Sequence, residues 1–241
     1  MNESIEWIEP SSWRELGALG FRLKALPEQE FVLVFPEWFT AREMSTHARF
    51  TWEDFPTSRA WQEKPFSAGL RFRLEEFDRN VHLGWEYTFT NGGNGTLTDL
   101  AAFNCLNLDR APLFKDLAME RTRVTDAQGH GTVLDDVPKV RGPGKRTMQF
   151  YPAAGGIDLN RIDKIKSYGV NSPAKLRGDR VTVTSRDGSW RLESIVDGPV
   201  AYFFSNWEPD HGCVHAAPSF GTIGPDQTAT AQGRIALRRV V

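Results

Sequence analysis

The sequence predicts a mainly β fold, a single large antiparallel β-sandwich with a few short helices. Three observations carry that expectation. Aromatic and β-branched runs alternate with Gly, Pro, Asn and Asp turns almost throughout. Helical periodicity is weak. The runs 180–185 and 190–195 flank Arg186-Asp187-Gly188-Ser189, and an Asp-Gly pair between two alternating runs suits a type I′ hairpin turn.

Taken in order, residues 31–35 (FVLVF) are continuously apolar and closed by Pro36, which predicts a strand buried on both faces. Residues 70–74 alternate apolar with basic, so one face is expected to be buried and the other wet. Residues 81–90 repeat that pattern and end at Asn91-Gly92-Gly93-Asn94-Gly95, whose glycines permit a tight reversal. Strands are expected at 122–125, before the turn 126–129, at 201–204 and at 229–240. Short helices are expected near 12–16, 52–61 and 159–166. The segment 135–174 is the most irregular, and a long loop in a compact fold is more often functional than idle. One domain spanning 1–241 accommodates all of these elements.

The 241 residues are 40% hydrophobic and 25% charged, enough for a substantial core. A net charge of -2 gives no basic excess, so nucleic acid is not an expected partner. No run approaches the roughly 20 apolar residues that span a bilayer, so no membrane insertion is expected. The acidic first residues lack the form of a secretion signal, and the expectation is a cytoplasmic protein with Cys105 and Cys213 reduced.

The richest stretch for chemistry is 205–215 (SNWEPDHGCVH). If 211–215 is extended, His211, Cys213 and His215 share one face, because strand side chains alternate with period two. Imidazole and thiolate suit zinc, copper or iron, which makes His211 and His215 candidate metal ligands. Cys213 as core filler is the plainer alternative. His82 and Glu86 share a second face with Gly84 between them, a place a ligand can enter. A His and a carboxylate serve as general acid and base or as ligands, but a solvated strand face has the same pattern. A third group joins Asn104-Cys105 to 111–116 and Arg121. Arg121 either clamps a hydroxyl-rich or anionic ligand with Asp116 or forms a structural ion pair with it. His130 stands between two glycines on an expected turn. Trp38, Trp52, Trp61 and Trp207 lie beside turns or charges, where an indole can stack on a sugar while Asn206 and Glu208 take its hydroxyls; rim packing is the alternative. Nucleophile-elbow, zinc-protease, phosphate-loop and dinucleotide motifs are absent, and Gly142-Pro143-Gly144-Lys145 lacks the ending of a phosphate cradle.

The segment 218–227 (PSFGTIGPDQ), followed by the alternating strand 228–237, together with 87–91 (YTFTN), resembles the large β-sandwich proteins related to galactose mutarotases. That resemblance implies a carbohydrate ligand on the face of a sheet, and a His acid with a Glu base. His215 is the nearest match to the acid. Gln227 and Gln232 stand where the closing segment would carry the base.

These readings converge on a carbohydrate-active enzyme acting on a sugar or small glycoside by acid–base chemistry. His215, His82, Glu86 and His130 are its candidate catalytic groups, and Trp207, Asn206, Arg121 and Asp116 its candidate substrate contacts. A non-catalytic sugar-binding module, and a lyase or hydrolase with a divalent metal on the histidine faces, remain as alternatives. The expected partner is a small molecule or oligosaccharide.

Overall fold

A computed structural model of the chain describes residues 4–10, 13–77, 80–140, 148–208 and 211–240, leaving out the side chains of 77, 207, 208 and 211. In chain order the first strands are β1 Ile5–Ile8, β2 Leu19–Leu23, β3 Leu26–Thr40, β4 Ser45–His47, β5 Thr51–Asp54 and β6 Ser58–Glu63. Next come β7 Phe66–Phe77, β8 Asn80–Asn91, β9 Leu97–Asn107, β10 Thr122–Asp126, β11 Gly131–Val133 and β12 Gln149–Pro152. The last are β13 Val170–Asn171, β14 Leu176–Thr184, β15 Trp190–Val196, β16 Val200–Glu208, β17 His211–Ile223 and β18 Gln227–Arg239. A helix, α1, runs over Asp163–Tyr168, directly after a 3-10 turn at Leu159–Arg161.

Among the described residues these strands form two nine-stranded sheets packed as a sandwich. The first has the order β1-β2-β3-β9-β17-β16-β12-β13, with β4 on β3; the second runs β11-β10-β14-β15-β18-β8-β7-β6-β5. Among the described residues pairing is antiparallel except between β12 and β13 and at an isolated parallel bridge, Ala153–Leu176. Period two explains the layers. In β8, Val81, Leu83, Trp85, Tyr87 and Phe89 point into the core between the sheets, while His82, Glu86 and Thr88 point out. In β3, Phe31, Leu33 and Phe35 join that core, whereas Val32 and Val34 pack with Ala18, Cys105 and Cys213 on the far side. The outer face of the first sheet is therefore covered too. Ile157, Leu159, Ile162 and Ile165 lie on Trp38, Phe103, Phe150, Tyr202 and Phe204. The irregular stretch around α1 is thus the lid of an apolar face.

Several details differ from expectation. Residues 52–61 are the hairpin β5–β6, not a helix: Pro56 cannot donate within a helix, and Thr57 N donates to Asp54 O at 2.7 Å to close the turn. Pro36 does not end β3, which continues to Thr40 across a shift of register between Val34 and Trp38. The β14–β15 connection is longer than a two-residue turn. Asp187 lacks the positive φ that type I′ demands, and its carboxylate accepts from Ser185 Oγ, Ser189 N and Ser189 Oγ while Gly188 takes φ 74°. Near 12–16 the described residues form a 3-10 turn, Arg14–Leu16. The segments 87–91 and 224–227 meet: Asn91 Nδ2 donates to the carbonyls of Gly95, Ile223 and Gly224, and Asp226 N donates to Asn91 O. No helix of the described residues is long and apolar enough to cross a membrane.

Candidate functional site

The two histidine faces do not share a pocket. His82 and Glu86 lie on the outer face of the second sheet, between β7 and β18, while β17 lies in the first sheet between β9 and β16. The two faces therefore lie on different sheets and stand apart.

On the first sheet, register sets the neighbours. Cys213 stands opposite Asn107 on one side and Asn206 on the other, and Phe204 stands opposite His215. Alternation then puts Phe103, Cys105, Asn107, Cys213, His215, Phe204 and Asn206 on the outer face. Cys105, Cys213 and His215 are all buried, and their sulfur and nitrogen atoms lie within 4.8 Å of one another. Both thiols are free. Asn107 Nδ2 donates to Cys213 Sγ at 3.4 Å. His215 is 1% exposed, with ring centroids 4.4 Å from Phe103 and 4.9 Å from Phe204. Burial pushes its pKa down to about 3 against the weaker pull of the Asn104 carbonyl, so it is neutral near pH 7. Neither imidazole nitrogen meets a partner at hydrogen-bonding geometry among the described residues. A stranded buried polar atom costs about 1–3 kcal/mol. The Cys105 thiol is pushed up by its contact with Cys213, then by burial, then by Glu37.

Glu37 belongs to the same neighbourhood. It sits where β3 shifts register, beside Trp38, and is 8% exposed. Burial pushes its pKa up to about 7, against the Lys164 ammonium, which pulls it down. Lys164 Nζ lies 4.9 Å from the Trp38 ring centre and 5.7 Å from that of Tyr168. Trp38 stacks on Phe103 at 4.0 Å, with Tyr168 and His47 edge-on at 4.7 and 5.8 Å. The exposed His47 is lowered by burial and by Lys164, and Tyr168 is raised by burial and by Glu37. Glu37, Lys164 and Tyr168 went unnoticed in the sequence. The available signal was a carboxylate inside an otherwise apolar strand, FVLVFPEWFT.

On the second sheet, Glu75 faces His82 across β7, and Arg71 and Gln232 face Glu86. Hence the carboxylate beside His82 is Glu75 rather than Glu86. Burial, Arg238 and Arg234 lower the His82 pKa, against Glu75 and Glu193. Glu193 pairs with Arg238 at 3.0 Å and with Arg180 at 3.8 Å. Two adjoining depressions of about 580 and 530 Å³ lie on this face, and Arg71 and Glu86 line both.

The remaining candidates stand apart. Arg121 donates to the carbonyls of Leu113, Lys115 and Thr184, and Asp116 accepts from Arg121 N and Thr122 Oγ1. Their polar atoms hold the 111–122 loop, and both residues also line a depression of about 270 Å³. Asn104 turns away from Cys105 into the core, where it accepts from Tyr87 Oη at 2.6 Å. His130 is exposed and closes the turn after β10, its backbone N–H donating to the Asp126 carboxylate. Trp38 and Trp61 are buried, so neither offers an open indole face. Asn206 is buried beside Cys213. The side chains of Trp207, Glu208 and His211, and residues 142–145, lie outside the described residues.

No protein-family model matches the chain, and no curated protein matches it. Among solved structures it is similar to a galactose mutarotase related enzyme from Lactobacillus acidophilus, with 11% identity and a TM-score of 0.46 over 100% of this chain and 96% of that one. A protein from Synechocystis matches with 10% identity and a TM-score of 0.45, over 93% of this chain and 89% of that one. A galactose mutarotase-like protein from Lactobacillus casei matches with 14% identity and a TM-score of 0.39, over 98% and 99%.

Proposed function

We propose that the chain is a carbohydrate-active enzyme that moves protons to and from a sugar at the outer face of the first sheet, with Glu37 as the acid–base group. The observation that carries this reading is the setting of Glu37: a carboxyl buried where β3 shifts register, under the influence of one lysine, beside a cluster of aromatic rings. A group whose pKa lies near 7 is present in both forms at neutral pH, which suits it to give and take a proton in one cycle. Perturbed groups gather at functional sites, and Glu37, His47, Tyr168 and His215 all depart from their ordinary values here. The exposed His47 and the half-buried Lys164 and Tyr168 are the groups a substrate would meet first. His215, enclosed and neutral, is a wall of this site rather than its proton donor. The substrate class rests on the resemblance of 87–91 and 218–237 to the mutarotase-related sandwiches.

Turnover of a panel of free aldoses and simple glycosides, followed by NMR for anomer exchange and bond cleavage, tests the reading. Glu37→Gln is expected to lose at least about 100-fold in rate while remaining folded, the usual scale for removing an acid–base group. A Glu37→Gln enzyme with wild-type turnover contradicts it.

The depressions around Arg71 and Glu86 favour a second reading, a sugar-binding face on the second sheet. Under that reading Glu86→Gln and Gly84→Leu abolish sugar binding. Under the first, both leave turnover intact.

A further inference from the structure

We propose that Cys105, Cys213 and His215 bind one soft transition-metal ion, zinc foremost, on the outer face of the first sheet. This site goes beyond the acid–base reading, which needs no ion. Its ligands come from neighbouring strands: β9 supplies Cys105 and β17 supplies Cys213 and His215. Their donor atoms lie within 4.8 Å of one another, and each residue is at most 3% exposed. Tetrahedral zinc, with sulfur at about 2.3 Å and nitrogen at about 2.0–2.1 Å, needs donors roughly 3.5–3.8 Å apart. The cluster reaches that spacing by shifts on the order of 1 Å in side chains already turned toward one another.

A second, independent observation points to an occupant. Both nitrogens of His215 are buried, and apart from the weak pull of the Asn104 carbonyl neither meets a hydrogen-bonding partner among the described residues. An apolar ring at 215 would pack against Phe103 and Phe204 with no such loss, so an imidazole there is explained by something it binds. Neither a Cys105–Cys213 disulfide nor plain apolar packing gives those nitrogens a role. Asn107 Nδ2, donating to Cys213 Sγ, is the kind of outer hydrogen bond that steadies a ligating thiolate.

The chemistry balances. Zinc(II) displaces one proton from each thiol and none from the neutral imidazole, so two protons leave for each ion taken up. Two thiolates then cancel the dipositive charge, and the ion enters an apolar setting as a neutral cluster. Two sulfurs and one imidazole select zinc over magnesium or calcium, which take oxygen ligands.

The test uses the whole chain purified without an affinity tag, reduced, stripped with a chelator and titrated with cobalt(II). One equivalent is expected to bind, with the sulfur-to-cobalt charge-transfer absorption and the visible bands of a tetrahedral site, and zinc is expected to displace it. Zinc should also slow the reaction of both native thiols with a thiol reagent. His215→Gln and Cys213→Ser, checked for folding by circular dichroism, should each weaken cobalt binding more than about 100-fold. If either variant fails to fold, thiol protection and cobalt stoichiometry in the wild-type chain decide alone. A folded, reduced wild-type chain that takes up no cobalt overturns the proposal. So does protein that is lighter by two hydrogens and free of thiols, which would be the disulfide. None of these readouts involves a sugar, so failure here is separable from failure of the acid–base reading.

Discussion

Arg59 shows what a single residue does at the junction of the two sheets. Its guanidinium is buried among the rings of Phe50, Trp52 and Phe72, at 5.2–5.3 Å, and donates to the carbonyls of Gly17 and Phe35. Burial lowers its pKa to about 10, which still leaves it charged at pH 7. Arg59→Ala strands two buried carbonyls and opens a cavity, so urea unfolding should show a loss of about 3–5 kcal/mol; a loss below about 1 kcal/mol would mean that water replaces the guanidinium. Glu37 makes the complementary case. Its folded pKa, about 7, exceeds the ordinary 4.5, so the folded chain holds a proton that the unfolded chain releases. The sign follows directly: stability from this group is complete below pH 4.5 and is lost as pH rises toward and through 7. At full effect the shift corresponds to roughly 3 kcal/mol. Glu37→Gln should flatten that part of the stability–pH curve, and an unchanged curve would place the carboxyl in water.

At the scale of elements, β18 depends on a glycine that β7 does not need. A Cβ at Gly233 would collide with the Ile195 carbonyl and the Trp85 ring, whereas one at Gly69 meets nothing within 4 Å. Gly233→Ala should cost about 1–3 kcal/mol and shift Trp85 fluorescence, and Gly69→Ala should stay within about 0.5 kcal/mol of wild type. Equal effects would mean that β15 and β18 yield freely. Alternation made such faces legible in the sequence: 81–90 reads directly as an inner apolar and an outer polar row, and FVLVF as a strand covered on both sides. The hairpin at 52–61 was hidden because its signal is Pro56 and a local Asp54–Thr57 hydrogen bond rather than alternation. Pairing partners were hidden for a different reason. Period two states which face a residue occupies, but not which strand lies alongside, so Cys213 and His215 were legible as neighbours while Cys105, from β9, was not.

For the whole molecule, the outer faces of the sandwich differ. That of the second sheet is open, polar and laced with ion pairs such as Glu193–Arg238, while on the first the 157–165 segment covers the apolar side chains and leaves His47 exposed and Lys164 and Tyr168 half-buried. The sequence marked out both histidine faces, yet their placement in opposite sheets follows only from the order of strands. Burial moves proton affinities on the first sheet's outer face, at Glu37 and His215, and the proposed chemistry lies there. Lys164 lowers the Glu37 pKa, so its charge should be visible in catalysis. The most direct measurement is the pH profile of turnover for the wild-type enzyme and for Lys164→Gln. A limb near pH 7 is expected in the wild type, moving to higher pH when the lysine charge is removed. A profile with no limb in that region, or one that Lys164→Gln leaves in place, would contradict Glu37 as the acid–base group.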